Sequence, residues 1–214
     1  MSLSHSPRII TDGLVLCLDA ANTKSYPGSG TTWTDLSGLG NNGTLVNGVG
    51  YNSGNGGSLS FDGSNDYVNF SSYSQPAYLT TTSFTWNIWV YPTRNNNADV
   101  LMGNRGGDLN FTKLTTNNFE YYPILLGGAM PLNIWQNICV VKNQTTLSYY
   151  RNSLLVSSTT SSTTKPTKPF YIGGDPTASE YFNSNIAQAS IYNRALTAQE
   201  IQQNFNALRG RFGI

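Results

Sequence analysis

Three glutamates and one histidine are the groups in this chain best suited to acid–base work, and their spacing makes no site. Glu120, Glu180 and Glu200 each stand alone. Retaining hydrolysis of a glycosidic bond needs two carboxylates about 5 Å apart across one sugar, and no pair here shares a strand pattern. His5 sits in a polar N-terminal stretch. A Ser–His–Asp or Cys–His arrangement therefore lacks support, and so does a histidine-based zinc site. Gly103-Asn-Arg-Gly106-Gly107 lacks the strand, spacing and helix of a nucleotide-binding loop. The inventory reads as that of a non-enzyme.

Binding chemistry has more to work with. Asp62-Gly63-Ser64-Asn65-Asp66 gathers two carboxylates, an amide oxygen and free carbonyls in one tight turn. A hard cation such as calcium takes that oxygen set, with Asp62, Asn65 and Asp66 as metal ligands. The same letters also make a metal-free hairpin turn through Asx hydrogen bonds, and both readings stand. Asp19 and Asp35 are further acidic positions, Asp35 being suited to capping its own turn. Sugar recognition needs ring faces beside amides and hydroxyls. Among 13 tyrosines and four tryptophans, Trp33, Tyr121, Tyr122 and Tyr181 fall in or near loops, as does Tyr51. Tyr121-Tyr122-Pro123 is the best candidate for an exposed patch.

These residues must be held by strands. Gly13–Leu18 is apolar on both faces. Phe84, Trp86, Ile88 and Val90 alternate with Thr85 and Asn87, and Trp86 and Trp89 fall on opposite faces. Asp12-Gly13, Asn42-Gly43, Asn47-Gly48, Asn55-Gly56 and Asp62-Gly63 punctuate the chain with hairpin chemistry. One helix is expected, over about 197–209. Thr197 and Glu200 form a capping box, Leu196 and Ile201 a hydrophobic staple, and Gly210 is placed to end it. The fold class is all-β, a two-sheet antiparallel jelly-roll sandwich with this short C-terminal helix. Residues 12–214 form one domain and 1–11 an N-terminal arm or tail. Ser157–Pro169 reads as a solvated loop. Cys17 and Cys139 read as buried free thiols, with a disulfide between them as the alternative. Charged residues are 11% and net charge is +1, so no field draws in nucleic acid. No segment is suited to membrane insertion. Met1–Thr11 lacks the apolar stretch of a signal peptide, implying synthesis in a cytoplasm.

Several runs resemble, in order, the concanavalin A-like, laminin-G-like jelly rolls. They are Trp33-Thr-Asp35-Leu-Ser37-Gly38, Leu59-Ser-Phe61-Asp62-Gly63 through Val68, Phe84–Val90, and Ile186 through Ile191-Tyr192-Asn193-Arg194-Ala195-Leu196-Thr197-Ala198-Gln199-Glu200-Ile201. The likeness covers roughly 12–209. It implies the sandwich and a lectin-like module, with calcium often held at a loop edge. Relatives that hydrolyse glycans carry E-x-D-x-x-E or E-x-D-x-E on one strand, which this chain lacks. Ala187 stands where relatives have an aspartate, and Asn152-Ser153 replaces their Asn-Gly turn.

Asp12–Asn22 and Ser25–Gly38 further resemble structural proteins of tailed bacteriophages. That likeness implies a virion structural or display protein, either a head decoration or a tail or fibre component. It would sit on the virion surface, docked to capsid or tail proteins, with a homo-oligomer left open. The alternative is a lectin-like adhesion module that binds host-surface glycans, with or without calcium. A glycoside hydrolase is the third reading.

Overall fold

The computed structural model describes residues 7–75, 79–94, 99–104, 109–113, 118–121, 124–127, 130–162, 164 and 166–214. Among them β1 (Leu14–Asp19), β2 (Thr32–Trp33), β3 (Gly43–Val46), β4 (Gly50–Asn52), β5 (Ser58–Asp62) and β6 (Tyr67–Gln75) come first. β7 (Ser83–Pro92), β8 (Asp99–Asn104), β9 (Leu109–Lys113), β10 (Phe119–Tyr121) and β11 (Ile124–Leu125) follow. Then come β12 (Gln136–Asn143), β13 (Thr146–Arg151), β14 (Leu154–Thr160), β15 (Lys168–Ile172), β16 (Gly174–Asp175), β17 (Glu180–Tyr181), β18 (Asn183–Tyr192) and the helix α1 (Ala198–Leu208).

The first sheet runs β14-β13-β12-β7-β18-β5-β4, with β1 also on β18, and the second runs β11-β10-β9-β8-β15-β6-β3-β2. All their pairings are antiparallel, so the expected jelly-roll sandwich is present. Alternation on β7 explains the layering. Phe84, Trp86, Ile88 and Val90 enter the core between the sheets, where they join Leu16, Leu18, Phe61, Phe70, Phe170 and Ile186. Trp89 points the other way, beneath Phe205 of α1 and Phe212 of the 3-10 turn Arg209–Phe212. The helix is thus a lid on the outer face of the first sheet, away from the main core.

The capping box is formed. The Thr197 N–H donates to Glu200 Oε2 at 2.8 Å, and the Glu200 N–H donates to Thr197 Oγ1 at 3.3 Å. Leu196 and Ile201 are buried in one cluster, as a staple requires. The helix does not stop at Gly210. It tightens into the 3-10 turn, and Gly213, at φ +70°, supplies the left-handed residue.

One other expectation changes. Ser157–Thr160 of the expected 157–169 loop continue the edge strand β14, and Lys168–Pro169 already belong to β15. Within the expected arm, residues 8–10 bond to the helix end of the molecule. The Ile10 N–H donates to Asn204 Oδ1 at 2.8 Å, and Gln203 Nε2 donates to the Arg8 carbonyl at 2.8 Å. Met1–Ser6, including His5, lie outside the described residues.

The sheet register also decides the cysteine question. Cys17 pairs with Ser190, Ser190 with Asn87, and Asn87 with Cys139. Three strand spacings of about 4.8 Å put the thiols on the order of 14 Å apart, twice the reach of a disulfide. Both are free and buried, and burial pushes the Cys17 thiol up to about 12.

Candidate functional site

At the outer face of the first sheet, beside the helix, antiparallel register brings four separate stretches together. Asn185 of β18 lies opposite Tyr91 of β7 on one side and Ser60 of β5 on the other. Gln136 pairs with Val90, so Trp135, one residue earlier, falls beside Tyr91. The two rings meet at 5.6 Å between centroids, inclined at 59°. With Asn52, Gly54, Asn55 and Ser58 they line a cavity of about 300 Å³.

Each wall is fixed locally. Asn52 Oδ1 accepts the Gly54 N–H at 2.8 Å, an Asx turn that starts the 3-10 turn Gly54–Gly56. Asn55 takes a left-handed φ of +54°, which asparagine tolerates better than most residues. That conformation aims its side chain across the cavity rim: Oδ1 accepts the Trp135 indole N–H at 3.0 Å, and Nδ2 donates to the Arg211 carbonyl at 3.0 Å. Phe212 supports the indole from behind at 4.7 Å and itself stacks on Trp89 at 4.3 Å. Trp135 is therefore a half-exposed ring with a rigid backing. Asn185 Oδ1 is buried and has no hydrogen-bond donor.

The sequence-derived positions fare differently. Trp33 and Tyr121 are corrected, being 0% and 1% exposed. Tyr121 turns inward against Phe84 at 6.0 Å and Trp86 at 5.5 Å, because β10 belongs to the second sheet and its alternation puts this ring between the layers. Neither ring can meet a ligand. Tyr122 lies outside the described residues. Tyr181 is half-buried on β17, with Tyr67 at 6.5 Å, and Tyr67 meets Tyr171 edge-on at 5.7 Å. This second aromatic group is on the outer face of the other sheet. Burial raises the phenols of Tyr171 and Tyr181 above their ordinary range, and the Asp175 charge adds to it.

The proposed calcium turn is held by its own backbone. Asp62 Oδ1 accepts the Ser64 N–H at 2.8 Å and the Asn65 N–H at 3.3 Å, while Asp66 Oδ2 accepts the Asp62 N–H at 3.0 Å. The Ser64 N–H leads in holding the Asp62 carboxyl below its ordinary range. Burial leads in raising that of Asp66. Asn65 gives its backbone carbonyl to Asn47 Nδ2 at 2.9 Å. Among the described residues no group of three or more His, Cys, Asp or Glu is placed to hold a metal.

Asp35 is a structural hub. Its two oxygens accept the N–H groups of Cys17, Ser37 and Asn41 at 2.9, 2.9 and 3.0 Å, and the Ser37 hydroxyl at 2.6 Å. Asp19 pairs with Arg211 at 2.8 Å. The glutamates fall on three separate elements: Glu120 on β10, Glu180 on β17 and Glu200 on α1.

Residues 61–202 match the laminin-G-type family profile described as the concanavalin A-like lectin/glucanases superfamily. The chain belongs to that superfamily.

Similar solved structures agree on the fold. A Trypanosoma rangeli sialidase in complex with sialic acid superposes with a TM-score of 0.70 at 17% identity, covering 97% of this chain and 36% of the sialidase. This superfamily member therefore spans about a third of that enzyme. The binding domain of Paraclostridial Mosquitocidal Protein 1 gives 0.65 at 19% identity, over 92% of this chain and 52% of the other. Domain 4 of AbnA, an extracellular arabinanase from Geobacillus stearothermophilus solved with arabinotriose, gives 0.66 at 15% identity, covering 89% and 97%. No curated protein matches in sequence.

The expectation of a tailed-phage structural protein is overturned here. The structures it resembles are a sialidase, the binding domain of a mosquitocidal protein and an arabinanase domain, none of them a particle component. The wording that suggested phage, Asp12–Asn22 and Ser25–Gly38, has a structural explanation in the β1–β18 pairing and the Asp35 hub. It reports on the fold.

Proposed function

We propose that this chain is a lectin-like, glycan-binding module that carries out no chemistry of its own. The observation that carries the reading is the Trp135–Tyr91 cavity, two partly exposed rings set among the side-chain amides of Asn52, Asn55 and Asn185 and the hydroxyl of Ser58. Aromatic faces pack on the apolar side of a sugar ring, and fixed amides and hydroxyls orient its hydroxyls. The family and the arabinanase domain solved with arabinotriose support it. The cavity lining holds no carboxylate, and the reading calls for no calcium in the contact itself. A glycan array probed in calcium and again in chelator tests the proposal. Binding is expected in both. Binding lost in chelator would move the site to the Asp62–Asp66 turn, and a blank array would overturn the reading. Release of reducing ends from any bound glycan would contradict the absence of chemistry.

A further inference from the structure

We infer that the Trp135–Tyr91 cavity selects neutral sugars and rejects sialylated or other acidic ones. This rests on the glycan-binding reading and narrows it to a ligand class. The lining residues are Asn52, Gly54, Asn55, Ser58, Tyr91, Trp135 and Asn185, none of which carries a charge. A carboxylate brought against such a wall gives up its hydration and gains no cation in return.

Arg211 is a cation that touches the Asn55 wall, and each of its three nitrogens already has a partner elsewhere. Its Nε donates to the Asn55 carbonyl at 3.2 Å and its Nη2 to the Gly57 carbonyl at 3.1 Å. Its Nη1 is paired with Asp19 at 2.8 Å. Turning it toward an acidic ligand would break the Asp19 pair and loosen the turn that carries Asn55.

The cavity also has a deficit that a neutral sugar fills. Asn185 Oδ1 is buried without a donor, and a sugar hydroxyl supplies one when the amide turns its oxygen into the cavity it lines. A cavity of about 300 Å³ is at the lower end of small-molecule sites, which suits one ring at a time. Gln188 and Asn87, further along the same face, bond to each other at 3.3 Å, whereas Asn137 Oδ1 beside them also lacks a donor but does not line the cavity.

The test is an array that pairs each neutral terminal sugar (glucose, galactose, mannose, arabinose, fucose) with sialylated and sulfated counterparts. It is probed with wild type, Trp135→Ala and Asn185→Ala. Neutral termini are expected to bind and their acidic counterparts to bind at least tenfold more weakly. Trp135→Ala should abolish the signal, and Asn185→Ala should weaken it about three- to tenfold, the value of one neutral hydrogen bond. Equal or tighter binding of acidic counterparts, lost in Trp135→Ala, would overturn the neutral-sugar inference and leave the glycan reading standing. A blank array would remove both.

Discussion

Glu200 shows how one side chain fastens the C-terminal region. Its carboxylate takes Arg194 Nη1 at 2.9 Å and Nη2 at 2.6 Å, besides the Thr197 N–H that closes the capping box. The Arg194 guanidinium holds the carboxyl at about 2, well below its ordinary 4.5. A depressed folded-state value means that stability is gained above pH 4.5 and lost as pH falls toward 2. The melting temperature of Glu200→Gln should therefore lie below wild type at neutral pH, and the gap should close between pH 4.5 and pH 2. A gap independent of pH would show that the charge contributes nothing. This residue was legible in the sequence because a capping box is an i to i+3 relation. Trp33 and Tyr121 were not legible: their exposure is set by the opposite sheet, which no local pattern reports. The Asn185 acceptor was invisible for the same reason, since its isolation depends on β7 and β5 on either side.

Turns and strands carry their own tests. Asn152 and Ser153, between β13 and β14, have φ of +50° and +65°, the two left-handed positions of a type I′ hairpin turn. The departure from Asn-Gly left the turn in place and put the strain on a serine. Ser153→Gly should raise stability by about 1 kcal/mol in chemical denaturation. No gain would mean that the serine conformation is unstrained. Gly173 is the opposite case. It sits at φ +76°, and a Cβ there would meet the Phe61 ring at 2.3 Å. Gly173→Ala should lose roughly 2–5 kcal/mol from strain and overpacking together. A loss under 1 kcal/mol would show that Phe61 moves aside freely. Strand alternation on β7 announced the core side and the outward Trp89, whereas Tyr91, on the same outer face, was not singled out. The cavity stayed hidden because its walls come from β4, β5, β7, β18 and the stretch before β12, and register alone brings them together.

Across the described molecule, the first and last described segments close on one another. β1 pairs with β18 along Leu16–Asp19, and residues 8–10 bond to α1. The C-terminal 3-10 turn reaches back to Asn55, Gly57 and Asp19. Both sheets share a single buried cluster, so the module should unfold as one unit. Far-UV circular dichroism and tryptophan fluorescence should give coincident denaturation curves, and two separated transitions would contradict that. The sandwich could be read from turn spacing, alternation and the helix cap, whereas its binding face could not, because function on this fold is set by a few positions. The most direct test of the central claim follows the four indole N–H signals by NMR while a glycan is titrated in. Trp33, Trp86 and Trp89 are buried at 0%, 1% and 0% exposure, and their signals should hold still. The Trp135 signal, identified by its disappearance in Trp135→Phe, should shift with saturation. Binding that leaves Trp135 unmoved and perturbs Tyr67, Tyr171 and Tyr181 instead would place recognition on the other sheet and contradict the account.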